Sequence, residues 1–426
     1  MAAIEDHPLR YRLANELHAR PFPALKVPCH GVFLAIKQPN NAVSRDREAD
    51  SAHLVALLDR FGAPHPQPGA THYFGEIGRH KLKWESHTEF VTYTIFIEGI
   101  AATPFDPSAF DVFPADWLAE APGTRMTSAL LRVEPQVSTE DTLAKIEEWF
   151  VPESLAVSQV LDASAVMAGD FRIDSAGHMR FAIFMADGVE QRRIGRVLQR
   201  VVEIETYKTI SMLGFARVRE IGAQLSELDT KLTATVGAMK GDTAQAEDTL
   251  SALLEVSADL EKLVAESSFR FGATGAYEAL VNQRIEVLRE ERFAGRQIFA
   301  EFMMRRFDPA MRTVKATERR MAQMAERATR AAELLRTRVD VERQIQNQKL
   351  LESMDKRADL QLRLQRTVEG LSVVAISYYA VNLALFMLGP LADTAEVSKI
   401  TLTAVVTPLV VLAVWLLVQR IRRSME

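Results

Sequence analysis

LSVVAISYYAVNLALFMLGPL, Leu371–Leu391, is the stretch from which the rest of the chain must be read. It passes without a single Lys, Arg, Asp or Glu, and a second such run, Ile400–Val418, follows after a short gap. At about 1.5 Å per helical residue the two runs reach roughly 31 Å and 28 Å, against a bilayer hydrocarbon core of about 30 Å. A helix in the core of a soluble protein keeps a polar face, and neither run has one. The pair predicts a transmembrane hairpin.

The flanks orient it. Arg363 and Arg366 precede the first run, and Arg420, Arg422 and Arg423 follow the second. The gap Ala392–Lys399 carries Asp393 and Glu396 against the one Lys399. The excess of arginine at both ends places them in the cytoplasm and the gap outside. Trp415 is placed to anchor at an interface, Pro408 to kink the second helix, and Gly389-Pro390 to end the first.

Of 426 residues, some 370 then remain to be soluble. The first residues contain no apolar run of signal-peptide type, which predicts that they stay in the cytosol of a bacterial inner-membrane protein. One cysteine, Cys29, excludes an internal disulfide framework and fits a reducing compartment. A net charge of −5 gives no nucleic-acid signature, so the lipid bilayer is the expected partner.

Residues 1–187 alternate between strand and helix signals. Val27–Ile36 reads as a buried strand, Ser44–Phe61 as a helix, and His72–Ile77, Lys81–Ser86 and Glu89–Glu98 as consecutive strands. A strand at Ser128–Val133 and a helix at Thr142–Phe150, capped by Ser138 or Thr139, follow. Val157–Leu161, Val166–Ile173 and Met179–Met185 complete the strands before the turn at Asp187-Gly188. From Val189 onward strand signals vanish and the good helix formers dominate. Breaks are expected around Gly237–Asp242, at Phe271–Gly275 and at Asp308-Pro309. From Ala310 to Glu369 there is neither Pro nor Gly, and 14 Lys or Arg stand against nine Asp or Glu. This is a basic stalk of about 90 Å with an imperfect apolar stripe, which Arg338 and Gln348 interrupt. The fold class expected is α+β: a cytosolic α/β domain with a mixed sheet (1–187), a helical bundle and stalk (188–370), and a transmembrane hairpin with a basic tail (371–426).

Eight of the nine histidines lie in the first 87 residues, without the spacing of a zinc helix. The sharpest polar stretch is Trp84-Glu85-Ser86-His87-Thr88-Glu89-Phe90. On one strand, Glu85, His87 and Glu89 would share a face. Two carboxylates beside an imidazole suit a cation or a proton transfer; the plainer alternative is a solvent-facing stripe of an antiparallel sheet. His18 and Arg20, in the knot Leu17–Pro23, are candidates for the same site. No phosphate loop, dinucleotide fingerprint or nucleophile elbow is present, which points away from an enzyme and leaves no cofactor beyond a possible divalent cation. Asn382, deep in the first run, is either glue between helices or part of an ion path.

Four stretches, His7-Pro-Leu-Arg-Tyr…Asn15-Glu-Leu-His-Ala-Arg-Pro-Phe, Leu82-Lys-Trp-Glu…His87-Thr-Glu-Phe…Thr92-Tyr-Thr, Ala279-Leu-Val…Arg284-Ile-Glu…Leu288-Arg-Glu-Glu-Arg, and Gly370-Leu-Ser-Val-Val-Ala-Ile-Ser-Tyr-Tyr, resemble an uncharacterised bacterial family of membrane-anchored proteins known only as a domain of unknown function. The likeness implies an inner-membrane location and no reaction. The order of elements also resembles the CorA-type divalent-cation channels, which are pentamers with a Gly-Met-Asn tripeptide closing the first span. The nearest match, Tyr379-Ala380-Val381-Asn382, lacks the Gly and Met and lies about nine residues before the span's end. Three readings follow. The leading one is a non-enzymatic homo-oligomeric membrane protein. The second is a cation channel with Asn382 in its pore and Asp393 and Glu396 at its mouth. The third is a membrane-tethered metal-dependent enzyme using His18, Arg20, Glu85, His87 and Glu89, its metal unknown.

Overall fold

The computed structural model describes residues 4–16, 22–39, 45–239, 246–394 and 398–425. Contacts divide the chain into two compact units, one of Met1–Ala238 with Ala252–Ala331 and one of Met239–Ser251 with Ala332–Glu426.

The first unit is built on a nine-stranded mixed sheet. After a short helix α1 (Arg10–Glu16) come β1 (Cys29–Lys37), α2 (Arg47–Arg60), β2 (His72–Ile77), β3 (His80–Ser86) and β4 (Phe90–Glu98). Then follow α3 (Ala115–Ala119), β5 (Thr124–Pro135), α4 (Thr139–Trp149), β6 (Ala156–Val160), β7 (Ala165–Gly169) and β8 (Met179–Met185). A two-residue strand, β9 (Glu291–Arg292), closes the far edge, and the order across the sheet is β2-β3-β4-β1-β5-β8-β7-β6-β9. Among the described residues, the pairings are antiparallel except β5 with β8.

Period-two alternation gives the strands two different faces. Val32, Leu34 and Ile36 of β1, Leu82 and Trp84 of β3, and Val91, Tyr93 and Ile95 of β4 turn one way, onto Leu54, Leu57 and Leu58 of α2 and Trp117 of α3. Further along, Ile146 and Phe150 cover Val157, Val166, Ala182 and Phe184. Helix α4 starts at Thr139, three residues before the expected Thr142, and of the two expected caps it is Ser138 that accepts from Asp141 N–H at 3.1 Å. The expected strand Val166–Ile173 ends early, at Gly169, because the buried Asp170 carboxylate takes Arg180 and the Val151 and Arg172 N–H groups instead of continuing the ladder.

The other face of β1, β5 and β8 meets α5 (Gln191–Ala238), which runs antiparallel to α6 (Ala246–Glu286). The break expected at Phe271–Gly275 does not occur, since α6 passes through it. Buried Phe271 and Thr274 hold that turn against α5, where a Cβ on Gly214 would lie 2.3 Å from Thr274 Oγ1. Tertiary packing here outweighs the roughly 1 kcal/mol helix penalty of each glycine. Helix α7 (Phe299–Arg306) ends one residue before α8 (Asp308–Thr394) begins, with Pro309 in the first turn as its missing N–H favours. Helix α8 also runs past Gly389-Pro390 to Thr394, which corrects the expected stop there; α9 (Lys399–Met425) follows. In the second unit Arg343 pairs with Glu247 at 2.6 Å, and Arg338 donates to the Met239 carbonyl at 2.7 Å. Among the described residues, two helices are long and apolar enough to cross a membrane, and only 6% of each apolar window is buried.

Candidate functional site

The expected stripe Glu85–His87–Glu89 lies on a hairpin rather than on one strand. Strand β3 stops at Ser86 and β4 starts at Phe90, and the His87 N–H donates to the Phe90 carbonyl at 2.9 Å, leaving Thr88 and Glu89 at the tip. The stripe is also not solvent-facing. Register sets Glu85 opposite Thr92, Lys83 opposite Thr94, and Thr94 opposite Phe33. Helix α5 lays Gln199, Val202, Glu203, Thr206 and Tyr207 over them, the i, i+3, i+4, i+7, i+8 positions of a single helical face.

These side chains line a partly open cavity of about 20 Å³, room for about one water. Lys83 Nζ sits 3.2 Å from Glu85 Oε2, both side chains buried. Gln199 Nε2 donates to Glu203 Oε1 at 2.7 Å, and Arg284 pairs with the other Glu203 oxygen. Gln199 Oε1 is buried with no hydrogen-bond partner among the described residues. His87 stacks on Phe90 (4.3 Å, 19°) and meets the edge of Tyr207. Such a seam orders polar groups between sheet and helix, but it is an order of magnitude smaller than a small-molecule pocket.

Glu89 turns to a different set of partners. Fully buried, it accepts both Nη atoms of Arg270 from α6, with Lys37 Nζ at 3.6 Å and the Tyr277 hydroxyl also bonded to it. Burial and the adjoining carboxylate hold the Tyr277 phenol well above its ordinary pKa, and burial lowers that of Lys37 despite Glu89. On the other side of the hairpin, Arg45 bonds Asp50 (2.6 Å), Ser86 Oγ (2.9 Å) and the His87 carbonyl (2.6 Å). The tip is therefore clamped between two arginines far apart in sequence. Nothing local in Trp84–Phe90 marks Arg270 or Gln199, which is why neither was among the candidates.

Of those candidates, Glu85 and His87 share the cavity, and Glu89 is committed to Arg270. His18, Arg20 and Glu396 lie outside the described residues. Asp393 is in the last turn of α8, and Asn382 is exposed on that helix. No group of three or more His, Cys, Asp or Glu suited to a metal occurs among the described residues. A wider hollow of about 510 Å³ opens at the carboxyl ends of β5 and β8, but its charged lining side chains, Lys26 and Asp187, are exposed.

Residues 5–425 match the model of a family described as protein of unknown function (DUF3422). The chain belongs to that family. No curated protein and no solved structure matches it. Since the DUF3422 match takes in nearly every residue, the sheet-bearing unit and the two apolar helices are parts of one family architecture.

Proposed function

We propose that this DUF3422 protein is a non-enzymatic, homo-oligomeric component of the bacterial inner membrane, displaying its sheet-bearing unit in the cytoplasm. The observation that carries the reading is α8. It is continuous over 87 residues, and the apolar window toward its end, before Pro390, is almost wholly uncovered in a single chain. In water, exposed side chains such as Phe386 and Leu383 forfeit about 1.5–3 kcal/mol each relative to burial, whereas lipid covers them all. The seam beneath α5, with room for about one water, supports a positioning role over turnover. Membranes carrying the full chain, washed in alkaline carbonate, should retain it in the pellet; release to the supernatant would overturn the reading.

A second reading, conduction of divalent cations, draws on Asn382, a carboxamide on an uncovered face of the first span. In vesicles holding the purified chain it predicts Mg²⁺ flux that Asn382→Ala alters. Vesicles that pass no Mg²⁺ would remove it.

A further inference from the structure

Two misplaced polarities lie along one face of α8. Leu364, Val368, Leu371, Ala375, Tyr378 and Asn382 follow each other at steps of four and three, so they form a single stripe. All six are exposed, Leu364, Val368, Leu371 and Tyr378 by more than half. The covered side of the span is the opposite one, centred on Ser377 at 6% exposure, and on α9 the covered position is Val414. Arg363, Arg366 and Glu369 all point away from the stripe, at about 100° per residue of rotation.

The lower end of the stripe, around Leu364 and Val368, lies among charged residues and therefore in water or at the headgroups, yet it is apolar. The upper end lies in the apolar segment, yet carries the amide of Asn382. Lipid covers the second part but cannot satisfy an amide. A soluble partner covers the first part but cannot follow it into the bilayer. The occupant must be a helix that itself crosses the boundary and has the same pattern at the same height.

We infer that this face binds the same face of a second copy of this chain, the two α8 helices running parallel. The charges complement that choice: the stripe carries none, so identical faces meet without like-charge repulsion. A carboxamide both donates and accepts, so Asn382 of one copy satisfies Asn382 of the other, fixing the register as buried asparagines do in coiled coils. Parallel entry follows from the arginines at both ends of the hairpin. The inference rests on the membrane reading above and narrows its oligomer to one interface.

The test is disulfide formation in native membranes by full-length Leu364→Cys, Leu371→Cys and Arg366→Cys variants. The native Cys29 does not interfere, being buried with its thiol pKa pushed up to about 12. Copper–phenanthroline oxidation should give at least tenfold more dimer from positions 364 and 371 than from 366. Adding Asn382→Leu should cut the dimer severalfold. Equal yields at all three positions, no dimer, crosslinks to a different protein, or a yield indifferent to Asn382→Leu would each overturn the inference. Failure of the membrane reading is separately visible, as release of the uncrosslinked chain by alkaline carbonate.

Discussion

Arg270→Ala should cost the sheet-bearing unit about 3–5 kcal/mol, the range for stripping one partner from a buried ion pair. Glu89 is wholly inaccessible, and Arg270 supplies two of its hydrogen bonds. Lys37 at 3.6 Å is too distant to replace them, and its own burial already disfavours its charge. The carboxylate would keep only the Tyr277 hydroxyl and the more distant Lys37 in a low-dielectric setting, where an under-compensated charge costs several kcal/mol. Chemical denaturation followed by circular dichroism should show a lower midpoint. The double substitution Glu89→Leu with Arg270→Met should recover most of the loss, because it removes both charges at similar volume. Arg60→Ala, which removes an exposed partner of Asp116, should hardly move the midpoint. An unchanged midpoint in Arg270→Ala would show that the clamp on the hairpin tip contributes nothing.

Trp117→Ala should cost a similar 3–5 kcal/mol and should also flatten the acid side of the stability profile. Trp117 is fully buried, stacks on His53 at 3.9 Å and 17°, and donates its Nε1–H to the His53 carbonyl at 2.8 Å. His53 is held as a defined neutral tautomer. Its Nε2 faces the Trp117 carbonyl at 3.1 Å, which can only accept, so Nε2 carries the proton and Nδ1 accepts from Tyr93 Oη at 2.9 Å. Burial lowers the His53 pKa, against the smaller opposing effects of the Trp117 carbonyl and Asp50. The unfolded chain therefore takes up a proton near pH 6.5 that the folded core still refuses. The associated stability is complete above about pH 6.5 and is lost as the pH falls below it toward the folded value. His80 and His178, also lowered chiefly by burial, act with the same sign. Opening the Trp117 site to water should return His53 toward its ordinary value and make the decline between pH 7 and 5 shallower. A slope unchanged from the parent would mean that His53 is not the titrating group.

Much of the fold was legible because the local signals agreed. The β-branched and aromatic run read as Glu89–Glu98 became β4 from Phe90 on, Met179–Met185 became β8 with both ends as read, and Ser138 capped α4. The uninterrupted helix formers after Pro309 became one helix. The misses lie where a distant segment outvoted a local one. Phe271–Gly275 reads as a breaker until α5 is packed on it, and the tip residues Thr88 and Glu89 read as strand until the hairpin closes. Short elements such as α1, α3 and α7 carry too few residues for a periodic signal.

The candidate site divides in the same way. Polar residues at 85, 87 and 89 could be picked out from composition alone, but not what they touch. Arg270 lies 181 residues from Glu89, and Gln199 and Glu203 reach the seam only because α5 crosses the sheet. By itself the sequence determined the two apolar helices, their arginine flanks and the alternation of the strands, since each depends on residue type and spacing within a few turns. The tertiary structure alone decided that the carboxylates are buried rather than solvated, and that Asn382 faces away from the covered side of its helix. Burial is set by whatever segment arrives from elsewhere, and no local spacing encodes its arrival.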